Sequence, residues 1–214
     1  AEGRQQDAIN LYEKAISLGV GIPEAHQHAA RVYESLAEYE LAAYHLKCDA
    51  EFHAGAEDVK RAVETLLHVV RLLPTDLAAR ERLVALTVGR TDIAIKDFDA
   101  TRTGKELVDL YLEIGEIERV RAILERLLRD NPFDVELKKS LVNVHTKAGD
   151  TKRVIELYES IAEDLVQDRK PLEAIKFLQK ILMLDRSRKD VSERIRSLYV
   201  LDERRRSRRR SIIA

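Results

Sequence analysis

The chain has no tryptophan, one cysteine, one methionine, four prolines and eight glycines in 214 residues. Each scarcity excludes something. The single cysteine, Cys48, forbids an intramolecular disulfide, so a disulfide-stapled scaffold is out and a reducing compartment is expected. No apolar run approaches the roughly 18–20 residues of a membrane span, and the start does not resemble a signal peptide. Runs of β-branched and aromatic residues, which strands prefer, are missing. So are the signatures of chemistry: "GVG" at 19–21 is not followed by GK[ST], and neither G-x-S-x-G nor H-E-x-x-H occurs. No catalytic residue and no cofactor is expected.

What is present favours helix. Charged residues make up 35%, and Glu, Arg, Lys, Ala and Leu lose little rotamer freedom in helices. The net charge is −1, unevenly spread. Residues 201–214 hold two acids and six arginines, net +4, which leaves −5 on the rest. An acidic body without a basic stripe is not the footprint of a nucleic-acid-binding body.

The four prolines stand where helices should begin, in "GIPEAHQHAA", "LLPTDLAARERL", "DNPFDVELKKSL" and "RKPLEAIKFL". Gly3, Gly19, Gly21, Gly55, Gly89, Gly115 and Gly149 fall between stretches of helical apolar spacing, with Gly104 in a first turn. The pattern predicts about twelve helices: 5–18, 24–36, 39–54, 57–73, 77–88, 92–100, 104–114, 117–130, 134–147, 151–167, 171–184 and 188–200. Short connections make neighbours antiparallel, so the expected class is all-α.

The helices repeat. "EIGEIERV" at 113–120 recurs as "KAGDTKRV" at 147–154, placing Gly149 34 residues after Gly115, with Pro132 closing the unit between them. A helix-turn-helix unit of this length, with Gly-Asp or Gly-Glu at its turn, resembles the tetratricopeptide repeat. The second-helix pattern is carried by Ala8, Tyr12 and Ala15, by Ala62, Leu66, Val69 and Pro74, and by Ala174, Leu178 and Ile181. The family's first-helix tryptophan is absent throughout.

The resemblance implies a right-handed superhelical α-solenoid of antiparallel helix pairs over residues 1–200. It implies a non-catalytic scaffold that binds a protein or peptide partner on its concave face. Family geometry puts Gln27, Arg31, Glu34, Lys105, Asp109, Lys139, Asn143 and Lys147 on that face. Lys139 and Asn143 lie one turn apart, as in the repeats that clamp chaperone C-terminal carboxylates. The next first helix offers Ser160 and Glu163 in place of the clamp's further Asn, Lys and Arg, so that specificity is not expected.

Two departures are informative. Ala42 to Ala62 and Val154 to Ala174 are each 20 residues apart, too close for an intervening helix. Helices 39–54 and 151–167 must therefore serve both as second helix of one pair and first helix of the next. The two places are 112 residues apart, and Glu24/Glu136, Val32/Val144, Glu38/Asp150, Ala50/Ala162 and Leu66/Leu178 correspond at that offset, which suggests a larger duplication. The 34-residue register also puts Gly3 at a turn. Helix 5–18 then lacks its first-helix partner and is expected to fray or to self-associate through the exposed edge.

Of the histidines, His26 and His28 point to different sides of a helix, while His45, Cys48 and Phe52 share a face. His45 and Cys48 supply two ligands where a structural zinc needs four, so no metal is expected; the cysteine reads as small and buried. His68 and His145 read as lone structural residues.

The last segment, 201–214, is a basic tail. Arg204, Arg205, Arg206, Arg208, Arg209 and Arg210 precede "SIIA". Arginines followed by apolar residues resemble the cytoplasmic flank of a membrane helix, so a transmembrane helix is expected to follow Ala214, with the tail at the anionic inner surface of the membrane. The alternative to a partner-binding scaffold is thus a spacer or stalk of a larger protein. Nucleic acid is the weaker reading of the tail, because no aromatics interleave the arginines for base stacking.

Overall fold

The computed structural model describes residues 2–90, 92, 93, 95 and 98–213, with side chains for those from Gln5 to Arg204. All regular structure among the described residues is helical. Eleven helices follow one another: α1 (Glu2–Ser17), α2 (Ile22–Ser35), α3 (Tyr39–Gly55), α4 (Val59–Leu72), α5 (Leu77–Thr87), α6 (Ala100–Glu113), α7 (Ile117–Asp130), α8 (Val135–Lys147), α9 (Thr151–Gln167), α10 (Pro171–Leu184) and α11 (Lys189–Ile213). They fall into two units, Ala1–Glu116 with α1–α6 and Ile117–Ala214 with α7–α11. Within each unit every helix packs on the next.

Local chemistry sets the starts. Asp58, Asp76, Asp99, Asp134 and Asp150 each stand one residue before a helix and accept from a backbone N–H of its first turn. Pro23 and Pro171 occupy the first turns of α2 and α10, where the missing N–H costs nothing. Pro74 and Pro132 instead lie in the turn before the capping aspartate.

Six helix ends share one turn. Gly19, Ala37, Glu57, Gly115, Gly149 and Arg169 all have positive φ, between 59° and 79°. In each case the next residue's N–H donates to a carbonyl five residues back: Val20 to Ala15, Glu38 to Tyr33, Asp58 to His53, Glu116 to Tyr111, Asp150 to His145 and Lys170 to Leu165, at 2.8–3.1 Å. This is the Schellman cap, which satisfies orphan carbonyls through one left-handed residue. A side chain there costs about 1–2 kcal/mol. Ala37→Gly is therefore expected to stabilise the chain by about 0.5–1 kcal/mol. Gly149→Ala is expected to destabilise it by about 1 kcal/mol through the backbone alone, because a Cβ there would meet nothing within 4 Å. Urea denaturation of both variants checks the opposite signs.

In the first unit Ala30, Ala43, Leu46, Ala50, Val59, Val63, Leu66, Val69, Ala79 and Leu83 form one buried cluster joining α2 to α5. Ile9, Ala29, Tyr33 and Ala42 form a second at the α1–α2–α3 junction. Alanines at the closest contacts, all fully buried, let the backbones approach. In the second unit the equivalent layer is Val154, Leu157, Ile161, Ala162, Leu165, Ala174, Ile175, Leu178 and Ile181. The repeat residues Ala62, Leu66, Val69, Ala174, Leu178 and Ile181 are buried, whereas Ala8, Tyr12 and Ala15 are only half covered on α1.

Helices α3 and α9 each pack on both neighbours, as the 20-residue spacing requires. The 112-residue offset also recurs in the geometry. Tyr39–Gly55, Val59–Leu72 and the start at Leu77 map onto Thr151–Gln167, Pro171–Leu184 and the start at Lys189 without a gap. Two ion pairs map as well. Lys47–Asp76 (2.7 Å) occupies the positions of Glu159–Arg188 (2.5 Å) with the signs exchanged, and Glu51–Arg82 (2.6 Å) those of Glu163–Arg194 (3.4 Å) with the signs kept. Asp190, gripped by the same Arg188, has its carboxyl pulled down to about 2.

Three expectations are corrected. The expected helix over 92–100 is not seen: Asp92, Ile93, Ile95, Phe98 and Asp99 are non-helical, and Ile93, Ile95 and Phe98 lie partly buried on the first unit's core. Asp99 then caps α6, which starts at Ala100 and carries Gly104 inside it, buried. Gly3 lies within α1 and Gly55 within α3, so neither is a turn. Helix α11 runs on through the basic segment to Ile213, and its side chains beyond Arg204 lie outside the described residues.

Candidate functional site

The first unit opens a cleft of about 270 Å³ between α2, α3 and α4. Gln27, Arg31 and Glu34 line it from α2, Leu46 and Asp49 from α3, and Arg61, Glu64, Thr65, His68 and Arg71 from α4. The α2 and α4 positions are one turn apart, so each helix presents a polar stripe on the side away from the core.

Asp49 is the floor. It is 1% exposed, and its carboxylate accepts from Gln27 Nε2 (3.1 and 3.3 Å) and, at 3.4 Å, from Thr65 Oγ1. His53 Nε2 lies 3.3 Å away, off the hydrogen-bond direction. Beside it Glu34 Oε2 sits 3.3 Å from His68 Nε2, while Glu34 Oε1 is buried with no donor among the described residues. A carboxylate oxygen left this way costs about 1–3 kcal/mol or more. The guanidinium groups of Arg31, Arg61 and Arg71 stand exposed around the rim and make no ion pair among the described residues.

The same place in the second unit, between α8, α9 and α10, carries aromatic rings. Tyr158 and Phe177 stand where the first unit has Leu46 and Thr65, their rings 5.9 Å apart. Lys139 and Lys180, at the positions of Gln27 and His68, hold their ammonium groups over those rings at 5.1–5.9 Å.

The second unit opens elsewhere. A cleft of about 480 Å³ lies among α7, α8 and α9, with Leu128, Leu141 and Leu157 on its walls and Lys138 and Ser160 at its base. Lys138 is 7% exposed and donates to Ser160 Oγ (2.8 Å) and to the buried Asp164 carboxylate. In the first unit the equivalent space is closed by His26 and His45, whose Nδ1 atoms are 2.9 Å apart, with Tyr33 stacked on His45.

Burial pushes both of these imidazoles below 6.5. Asp49 opposes this at His26; the neighbouring His26 reinforces it at His45, where Glu13 opposes. Tyr33 stacks on His45, and Tyr44 meets it edge-on. The unfolded chain then binds protons more readily than the folded one. Stability is full above about 6.5 and is lost as pH falls toward the lowered folded values. The urea midpoint of the chain is expected to drop between pH 7.5 and 5.5, and by less in His26→Leu/His45→Phe, which has neither group to protonate.

Of the sequence-selected residues, Gln27, Arg31 and Glu34 come together in the first cleft. Lys105 and Asp109 are exposed on α6, outside it. In the second unit Lys139 lies over Phe177 and pairs with Glu136 at 2.7 Å, while Asn143 and Lys147 are exposed along the same stripe. Arg204 is exposed, whereas Arg205, Arg206, Arg208, Arg209 and Arg210 have side chains outside the described residues. Cys48 is half-buried rather than buried, and His68 and His145 are not lone, since they face Glu34 and Asp150. His26 is buried and His28 exposed against Tyr12, on opposite sides as expected. No group of three or more metal-ligating side chains converges among the described residues.

Sequence reasoning did not select Asp49, Arg61, Glu64, Thr65, His68 or Arg71. Their signal was the polar stripe at 61, 64, 65, 68 and 71, running opposite the buried Ala62, Leu66 and Val69.

No family model and no curated protein matches the chain. Among solved structures it is similar to the MamA protein (17% identity, 79% of this chain and 94% of that one, TM-score 0.35). It is similar to the C-terminal part of a TPR repeat-containing protein from Cytophaga hutchinsonii (15%, 91% and 95%, 0.27). It is also similar to the TPR domain of P58(IPK) (14%, 98% and 68%, 0.32). Scores of this size do not bear on partner or function. The chain's own repeated helix pairs, 34-residue period and shared caps make it a tetratricopeptide-like helical repeat.

Proposed function

We propose that the chain is a non-catalytic protein-interaction scaffold whose first unit takes a segment of a partner polypeptide into the α2–α3–α4 cleft. One observation carries this reading. Three residues selected by their place on a first helix converge on a polar-lined cleft, whereas the counterpart positions in the second unit carry two of the chain's own rings under lysines.

A photo-crosslinking residue at Gln27 tests it, with one at Lys105 as control. Crosslinks from Gln27 to one polypeptide, lost in Arg31→Glu/Arg71→Glu, are expected. Equal labelling from both positions would remove the cleft from the proposal.

The continuous helix α11 favours a second reading for the arginines. It extends 25 residues, against 11 in its counterpart α5. Among the described residues no helix is long and apolar enough to cross a membrane. The reading is that the arginines are drawn to anionic headgroups. Co-sedimentation with vesicles containing about one-third phosphatidylserine should fall to the level of neutral vesicles when the six arginines become glutamine.

A further inference from the structure

We infer that the α2–α3–α4 cleft is a receptor for one basic side chain, arginine or lysine, carried by the partner polypeptide between acidic neighbours. This rests on the reading of the cleft as the partner surface and deepens it.

The floor supplies the anionic half. Glu34 Oε1 is buried without a donor among the described residues, and Oε2 meets only His68. Asp49 has an amide, a hydroxyl and the edge of an imidazole around it. Both acids line the cleft, and no arginine or lysine among the described residues pairs with either. Arg31 stands one turn from Glu34 on the same helix, yet makes no ion pair among the described residues, and neither do Arg61 and Arg71.

The second unit shows what this position accepts. Its counterpart is occupied by cations from within, the ammonium groups of Lys139 and Lys180 over Phe177 and Tyr158. In the first unit Gln27 and His68 replace those lysines, Thr65 replaces the phenylalanine, and the two floor acids stand where Thr146 and Ile161 lie. The internal cations are gone and carboxylates have been added, so the cation must come from outside. The volume, about 270 Å³, falls just short of the roughly 300–1,000 Å³ of a small-molecule site and suits a single long side chain.

The rim supplies the other half. Arg31, Arg61 and Arg71 outnumber Glu64 there, and acidic residues flanking the inserted base would pair with them. Rim charges are screened by solvent, whereas the buried floor is not, so the inserted group is set by the acids.

The test is a titration of the full chain, followed by amide NMR shifts, with three acetylated and amidated peptides. These are Ala-Glu-Arg-Glu-Ala, the same peptide with citrulline for arginine, and the charge-inverted Ala-Arg-Glu-Arg-Ala. The first is expected to saturate shifts at Gln27, Glu34 and Thr65. The citrulline peptide should bind at least about tenfold more weakly, since it keeps the shape and loses the charge. Glu34→Gln should weaken the first peptide by a similar factor without lowering the melting temperature, since it removes a buried charge short of donors. If citrulline binds equally well, or the charge-inverted peptide binds tighter at the same amides, the cation assignment is wrong and the cleft remains the partner surface. If no peptide moves the cleft amides, both readings fall.

Discussion

Lys138→Ala is expected to cost about 3–5 kcal/mol of stability, the largest effect of any single polar substitution considered. The ammonium group is held between Ser160 Oγ and the Asp164 carboxylate, and both charged side chains are more than nine-tenths buried. Removing the lysine leaves Asp164 as a buried charge with no partner of opposite sign, and its desolvation is then uncompensated. The pair itself is not the source of the loss. Lys138→Met/Asp164→Leu, which removes both charges and keeps the volume, should recover most of it. Guanidinium denaturation of the single and double variants decides. A double variant as unstable as the single one would show that Lys138 acts through packing, not through charge.

Leu66→Ala should cost about 2–5 kcal/mol, because Leu66 is 1% exposed in the middle of the α2–α5 cluster and a cavity would remain. Its counterpart Leu178, also fully buried, should lose a similar amount when cut to alanine. In stacked repeats stability is a sum of nearest-neighbour terms, so the damage should stay local. Amide hydrogen exchange is expected to accelerate in α3 and α4 for Leu66→Ala and in α9 and α10 for Leu178→Ala. Equal acceleration in both units for either variant would mean that they fold as one cooperative body.

The sequence made some of this legible and hid the rest for definable reasons. Gly115 and Gly149 announced their turns, but Ala37, Glu57 and Arg169 adopt the same backbone without a glycine to mark it. What all six such turns share is the hydrogen bond, and composition does not show that. The stretch 92–100 offered isoleucines at intervals that fit either periodicity, and the structure uses Ile93, Ile95 and Phe98 to cover a core from a non-helical segment. On α8 the adjacent Lys138 and Lys139 look alike in composition. A rotation of about 100° per residue separates them, and it sends one into the buried pair with Asp164 and the other over Phe177. The family geometry put Gln27, Arg31 and Glu34 on the open side of α2. It carried no information about which rings or carboxylates a neighbouring helix would bring to them.

The exchanged signs of the Lys47–Asp76 and Glu159–Arg188 bridges bear on how the chain avoids assembling wrongly. Two similar halves in tandem invite exchange during folding, with a helix from one docking in the other's place. Were α11 to dock on α3, Arg188 would meet Lys47; were α5 to dock on α9, Asp76 would meet Glu159. Each mistake sets like charges against each other at this position, while each correct docking closes the bridge; the Glu51–Arg82 and Glu163–Arg194 pairs, whose signs are kept, do not discriminate. A duplicated gene product would thereby carry its own proofreading, written in two pairs of charges.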